Sequence, residues 1–78
     1  MTREEVYEKL NEVFRDVFED EDITVNDNTT ADDIEDWDSL EHINLVSAVE
    51  REFNIKFTMA QVRGMKNVGE MVEVIMGE

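Results

Sequence analysis

Apolar residues recur at helical spacing in three stretches of the chain. In residues 2–18, Val6, Leu10, Val13, Phe14 and Val17 fall on one face of a 3.6-residue period. Tyr7 and Phe18 widen that stripe, and Glu4, Glu8, Lys9, Glu12, Arg15, Asp16 and Glu19 occupy the other side. Thr2 followed by Glu5 has the pattern of a capping box. In residues 39–53, Leu40, Ile43, Val46, Val49 and Phe53 predict an inward stripe, broadened by Leu45 and Ala48. Asp38 suits the N-cap there, with Glu41 at the third helical position. The last stretch is capped by Asn67 with Glu70 three residues on. Val68, Met71, Val72, Ile75 and Met76 supply its stripe, and Gly77 closes it.

The segments between these helices differ in kind. Residues 19–38 are rich in Asp, Asn and Thr, and a loop of that length is either functional or internally packed. Ile23, Val25, Ile34 and Trp37 are the residues expected to pin it to the core, with a single turn near Thr30 to Ile34. Trp37 reads as a packing anchor. Residues 54–57 form a short link anchored by Ile55 and Phe57. Thr58 and Gln61 then make a capping-box pattern for a short helix, and Gly64 suits a left-handed residue at its end. The expectation is an all-α fold over residues 1–78. It is a single domain, a four-helix bundle of three main helices plus one short helix, with a long first loop. With 78 residues and no cysteine, the bundle must hold without disulfides or cysteine metal sites, so its stability margin is thin.

Charge adds a constraint. Asp and Glu number 21 against 7 Lys and Arg, a net charge of −14. Such a surface repels nucleic acid and anionic membrane, steers basic protein partners toward it, and disfavours self-association, which predicts a monomer. It also repels itself. Met1-Thr2-Arg3-Glu4-Glu5 leads into an acidic helix pattern with no apolar run, and no window is long enough to insert into a membrane. The expected location is therefore cytoplasmic.

Motifs for chemistry are sparse. Counted from Asp20, an EF-hand would need Gly at Val25 and Glu at Ala31; counted from Asp22, at Asp27 and Asp33. No metal site is predicted. Ser39 and His42 lie three apart, but a hydrolytic triad also needs an oriented base and a sheltered oxyanion hole, and no Gly-x-Ser-x-Gly elbow is present. His42 reads as a surface residue. Phosphate loops, zinc spacings and basic aromatic patches are missing, so no catalytic residue and no enzyme activity are predicted. A binding module or a carried substrate remains. Taken alone, Ser39 behind a capping Asp is an ordinary first-turn serine.

The run Asp36-Trp37-Asp38-Ser39-Leu40-Glu41-His42-Ile43 resembles the signature of acyl carrier proteins. Residues 45–53 and 55–58 are similar to that family's second helix and following link, and the resemblance spans essentially the whole chain. It implies that Ser39 carries a covalent 4′-phosphopantetheine arm whose thiol holds acyl or related groups as thioesters. The implied partners are a phosphopantetheinyl transferase and acyl-loading and acyl-processing enzymes with basic docking patches. They would meet a face comprising Asp38, Leu40, Glu41, Asn44, Ser47, Glu50 and Arg51, with Asp38 near the transferase or its magnesium. Val6, Leu10, Val46, Val49, Met71 and Ile75 would line any interior shelter for a chain, although plain core is the simpler reading. Glu41, Glu50 and Glu52 keep the acids usual in fatty-acid carriers, whereas Asn44, Ser47 and Arg51 depart from that pattern. These departures point to a specialised carrier for fatty-acid-like, polyketide or other biosynthesis. An aminoacyl or peptidyl carrier, and an unmodified acidic helical adaptor, are the alternatives.

Overall fold

The computed structural model describes residues 1 to 77. Its elements are α1 (Arg3–Val17), a 3₁₀ turn (Ala31–Asp33), α2 (Ser39–Phe53), α3 (Met59–Gly64) and α4 (Val68–Met76). The described residues contain no strand, so the fold is the expected all-α bundle of three main helices and one short one. Each α-helix starts on a side-chain cap from the expected residue: Thr2, Asp38, Thr58 and Asn67 accept the N–H of Glu5, Glu41, Gln61 and Glu70. Glu5 and Gln61 return a bond to the cap backbone, completing the two capping boxes.

α1 packs against α2 and, less extensively, α4. Val6, Leu10 and Phe14 of α1 meet Leu45 and Val49 of α2 and Val68, Met71 and Val72 of α4, all essentially fully buried. Burying eight such side chains is the main favourable term for a chain of this size.

The α2 stripe is rotated from the expected one. Leu40 is 71% exposed and Ile43 52%, while Leu45, Val46 and Val49 are buried. The true stripe runs through positions 42, 45, 46, 49 and 53, and its first member is His42. A histidine concealed the register, because it belongs on an inward face only when both ring nitrogens find partners.

The long loop is packed and strongly tied. Val25 is buried, and Ile23, Ile34 and Trp37 pack against the core as expected. The Trp37 ring meets Phe14 edge-on, with centroids 5.3 Å apart. Polar residues of α1 hold the loop as well. Asn11 Oδ1 accepts the Val25 N–H at 2.7 Å, and Arg15 Nε donates to the Ile23 carbonyl at 2.7 Å. The loop reaches α4 through Val68 N–H to Thr29 O at 2.9 Å and Gly69 N–H to Asp27 O at 3.1 Å.

Gly64 corrects another expectation. It is the last residue of α3 and has no positive φ; the chain leaves through Met65 at φ −71°, ψ 112°. The left-handed residues at helix ends are instead Glu19 after α1, Asn54 after α2 and Gly77 after α4.

Candidate functional site

Ser39 opens α2. Asp38, extended at φ −106°, ψ −174°, places its Oδ1 2.8 Å from the Glu41 N–H, and its carbonyl accepts the His42 N–H at 2.8 Å. Capping consumes the Glu41 donor but leaves the N–H groups of Ser39 and Leu40 without a backbone acceptor among the described residues. Ser39 is exposed, and its hydroxyl makes no hydrogen bond to the described chain. A free nucleophilic oxygen thus stands beside unpaired donors at the positive end of a fifteen-residue helix. That setting favours an anionic substituent such as a phosphodiester.

Ser39 lies on the rim of a groove of about 580 Å³ between the start of α2 and α3. Ile43 and His42 form one wall, and Met59, Val62, Arg63, Met65 and Lys66 the other, with Met71 below. His42 fastens the walls together and is half-buried, not the surface residue expected. Trp37 Nε1–H donates to His42 Nδ1 at 3.1 Å, and His42 Nε2 lies 3.1 Å from the Val62 carbonyl. Only the Nε2–H tautomer satisfies both contacts. Both ring nitrogens are thereby committed, and none is left to act as a base toward Ser39. The groove is also not the interior outlined by Val6, Leu10, Val46, Val49, Met71 and Ile75. Of those six, Met71 alone lines it, and Val6, Leu10 and Val49 are solid core.

The residues expected at a partner face are brought together on α2. Leu40, Asn44, Ser47 and Arg51 are exposed on its outer side, with Asp38 at its start. Glu41 and Glu50 are half-buried and engaged: Glu41 accepts Asn44 Nδ2–H at 3.0 Å, and Glu50 accepts the Phe57 N–H at 2.8 Å. Sequence reading missed Arg63 and Lys66. The short helix that carries Arg63 is amphipathic over too few turns to show which side faces α2, and Lys66 follows it in the link to α4.

Comparison with known proteins decides the family. Residues 8–75 match the family model described as the phosphopantetheine attachment site. The chain belongs to the acyl carrier protein family. It is 34% identical over 76 residues to an acyl carrier protein of Petrotoga mobilis, covering 96% of this chain and 88% of that one. It is 30% identical over 77 residues to an acyl carrier protein of Coprothermobacter proteolyticus, covering 96% and 92%. The solution structure of the holo acyl carrier protein from Geobacter metallireducens superimposes with a TM-score of 0.86 at 36% identity, over 92% of this chain and 83% of that one. The carrier's prosthetic group is therefore 4′-phosphopantetheine. As a member of this family it works with a phosphopantetheinyl transferase and biosynthetic enzymes. Among the described residues no helix is long and apolar enough to cross a membrane.

Proposed function

We propose that Ser39 is the attachment residue of this carrier. The observation that carries the reading is its exposed, uncommitted hydroxyl on the first turn of α2, beside N–H groups that no other acceptor uses. On a transferase, the Ser39 oxygen bonds to the phosphorus bearing pantetheine in coenzyme A. The pyrophosphate bond breaks, adenosine bisphosphate leaves, and the hydroxyl proton goes to a base of that enzyme. When attached, the arm supplies a thiol that holds an acyl group as a thioester. The chain's own part is to present that thioester to successive enzymes at high effective concentration. Incubation with coenzyme A and a broad-specificity transferase tests this: the wild-type mass rises by one arm, and that of Ser39→Ala does not.

The partner face is Asp38, Leu40, Glu41, Asn44, Ser47, Glu50 and Arg51, and it meets enzymes with basic docking patches. Asn44, Ser47 and Arg51 replace the acids and methionine that fatty-acid carriers commonly present there. That substitution supports service to a specialised pathway, such as polyketide, peptide or surface-polymer synthesis, over general fatty-acid synthesis. Turnover with housekeeping fatty-acid synthase enzymes at the rate of their own carrier contradicts this assignment.

A further inference from the structure

The acids of this chain are unevenly placed. All 21 lie outside residues 53–69, and that segment holds three of the seven basic residues, Lys56, Arg63 and Lys66. Arg63 and Lys66 both line the Ser39 groove. Their side chains make no ion pair or hydrogen bond among the described residues, whereas Arg3 pairs with Asp27 and Lys9 with Glu52. Asp38 is the sole acid lining the groove, and one of its oxygens already caps α2. Met59, Val62 and Met65 give the same wall apolar surface.

We propose that this groove selects cargo by charge, receiving a short acyl group whose far end is anionic. The proposal rests on Ser39 being the attachment residue. The apolar wall takes the methylene stem, and Arg63 and Lys66 face the terminal carboxylate or phosphate. An acidic chain repels such a terminus from most of the surface it presents, whereas the groove at the base of the arm offers two cations against one acid. Exposed cations bind a carboxylate weakly in a two-body encounter. A tether from the groove's own rim changes that, because at millimolar effective concentration the apolar contact of the stem and the two weak charge contacts together fill the site. A neutral acyl group of equal length gains only the apolar contact.

Adipoyl and hexanoyl thioesters, equal in carbon number, test the proposal when loaded from their coenzyme A esters by a broad transferase. Intact mass first confirms one acylated arm per chain. Hydroxylamine cleavage is then timed for wild type and for the double variant Arg63→Gln and Lys66→Gln, whose exposed positions leave the core untouched. The adipoyl thioester is expected to be cleaved about three-fold faster in the double variant than in wild type, with hexanoyl unchanged. Nuclear magnetic resonance gives a second reading: adipoyl loading shifts the Arg63 Nε and Met59 and Met65 methyl signals more than hexanoyl loading does. Equal adipoyl lifetimes in the two proteins, or equal changes for both cargoes, overturn charge selection. No mass gain on loading overturns the Ser39 assignment, and this proposal with it.

Discussion

Trp37 and His42 form a relay across the mouth of the groove. The indole Nε1–H reaches His42 Nδ1 at 3.1 Å, and the opposite nitrogen meets the Val62 carbonyl of α3 at 3.1 Å. The rings lie nearly parallel, 26° apart. A six-residue helix has too few internal bonds to stand alone. The position of α3, and with it the shape of the groove, therefore depends on this side-chain bridge and on the burial of Val62.

His42→Ala removes both bonds and leaves the indole donor without its partner. The expected loss is about 1–3 kcal/mol of unfolding free energy in urea. Amide exchange in α3 should quicken more than in α1. Uniform acceleration along the chain, or none, contradicts the role assigned to the bridge.

Two glycines should respond oppositely to alanine. At Gly69 a Cβ would meet the Asp27 carbonyl oxygen at 2.8 Å and its Cα at 3.2 Å, where the long loop crosses α4. Gly69→Ala should destabilise by about 1–3 kcal/mol, because backbone on both sides must give way. At Gly64 nothing lies within 4 Å and φ is ordinary. Gly64→Ala should stabilise by about 0.5–1 kcal/mol through helix propensity and a smaller unfolded ensemble. Paired denaturation curves check both signs.

The tie between α1 and the loop predicts a pH response. Burial, then the Asp27 carboxylate it donates to, push the Tyr7 phenol up to about 12. Hydrogen bonds from Tyr7 and then Arg3 hold Asp27 below the usual carboxylate range. The folded chain keeps the phenol proton longer than the unfolded chain. The Tyr7 contribution is thus complete below the ordinary phenol value near 10 and is lost as pH climbs toward 12. Asp27 acts in the other direction. Its contribution is complete above the ordinary 3.8 and is lost as pH falls through the lowered folded value. Tyr7→Phe should flatten the alkaline limb of a stability–pH curve and soften the acid limb. A curve that matches wild type at both ends sinks this account.

A net charge of −14 on so small a bundle should make stability rise with ionic strength. The melting temperature should climb between low and moderate salt, and further with a divalent cation at equal ionic strength. Melts that coincide across this range contradict self-repulsion as a stability term.

How much of this was legible depended on the kind of signal. The caps at Thr2, Asp38, Thr58 and Asn67 were readable because capping is local chemistry between residues three apart. The α1 and α4 stripes were readable because their inward positions are all apolar. The α2 register was not, since its stripe begins on a histidine whose partners come from the loop and α3. Leu40 and Ile43, apolar and correctly spaced, marked the wrong side; both are exposed, Leu40 on the face proposed for partners and Ile43 on the wall of the Ser39 groove. The loop's ties to Asn11 and Arg15 were hidden for a related reason: polar residues on an outward face give no sign of a distant backbone they will bond. The first-turn position and exposure of Ser39 were legible, because Asp38 before it and the helix after it fix them, whereas its proposed role as attachment residue came from the family resemblance. The two cations opposite it came into view only when α3 was placed against α2.

The central claim is that one serine bears the arm, and the chain holds two, Ser39 and Ser47, both exposed on α2. Fragmentation mass spectrometry of the chain after reaction with coenzyme A and a broad transferase separates them. The account predicts a single arm located on Ser39, and unmodified protein from Ser39→Ala. An arm on Ser47, or a Ser39→Ala chain that still gains the full mass, contradicts it.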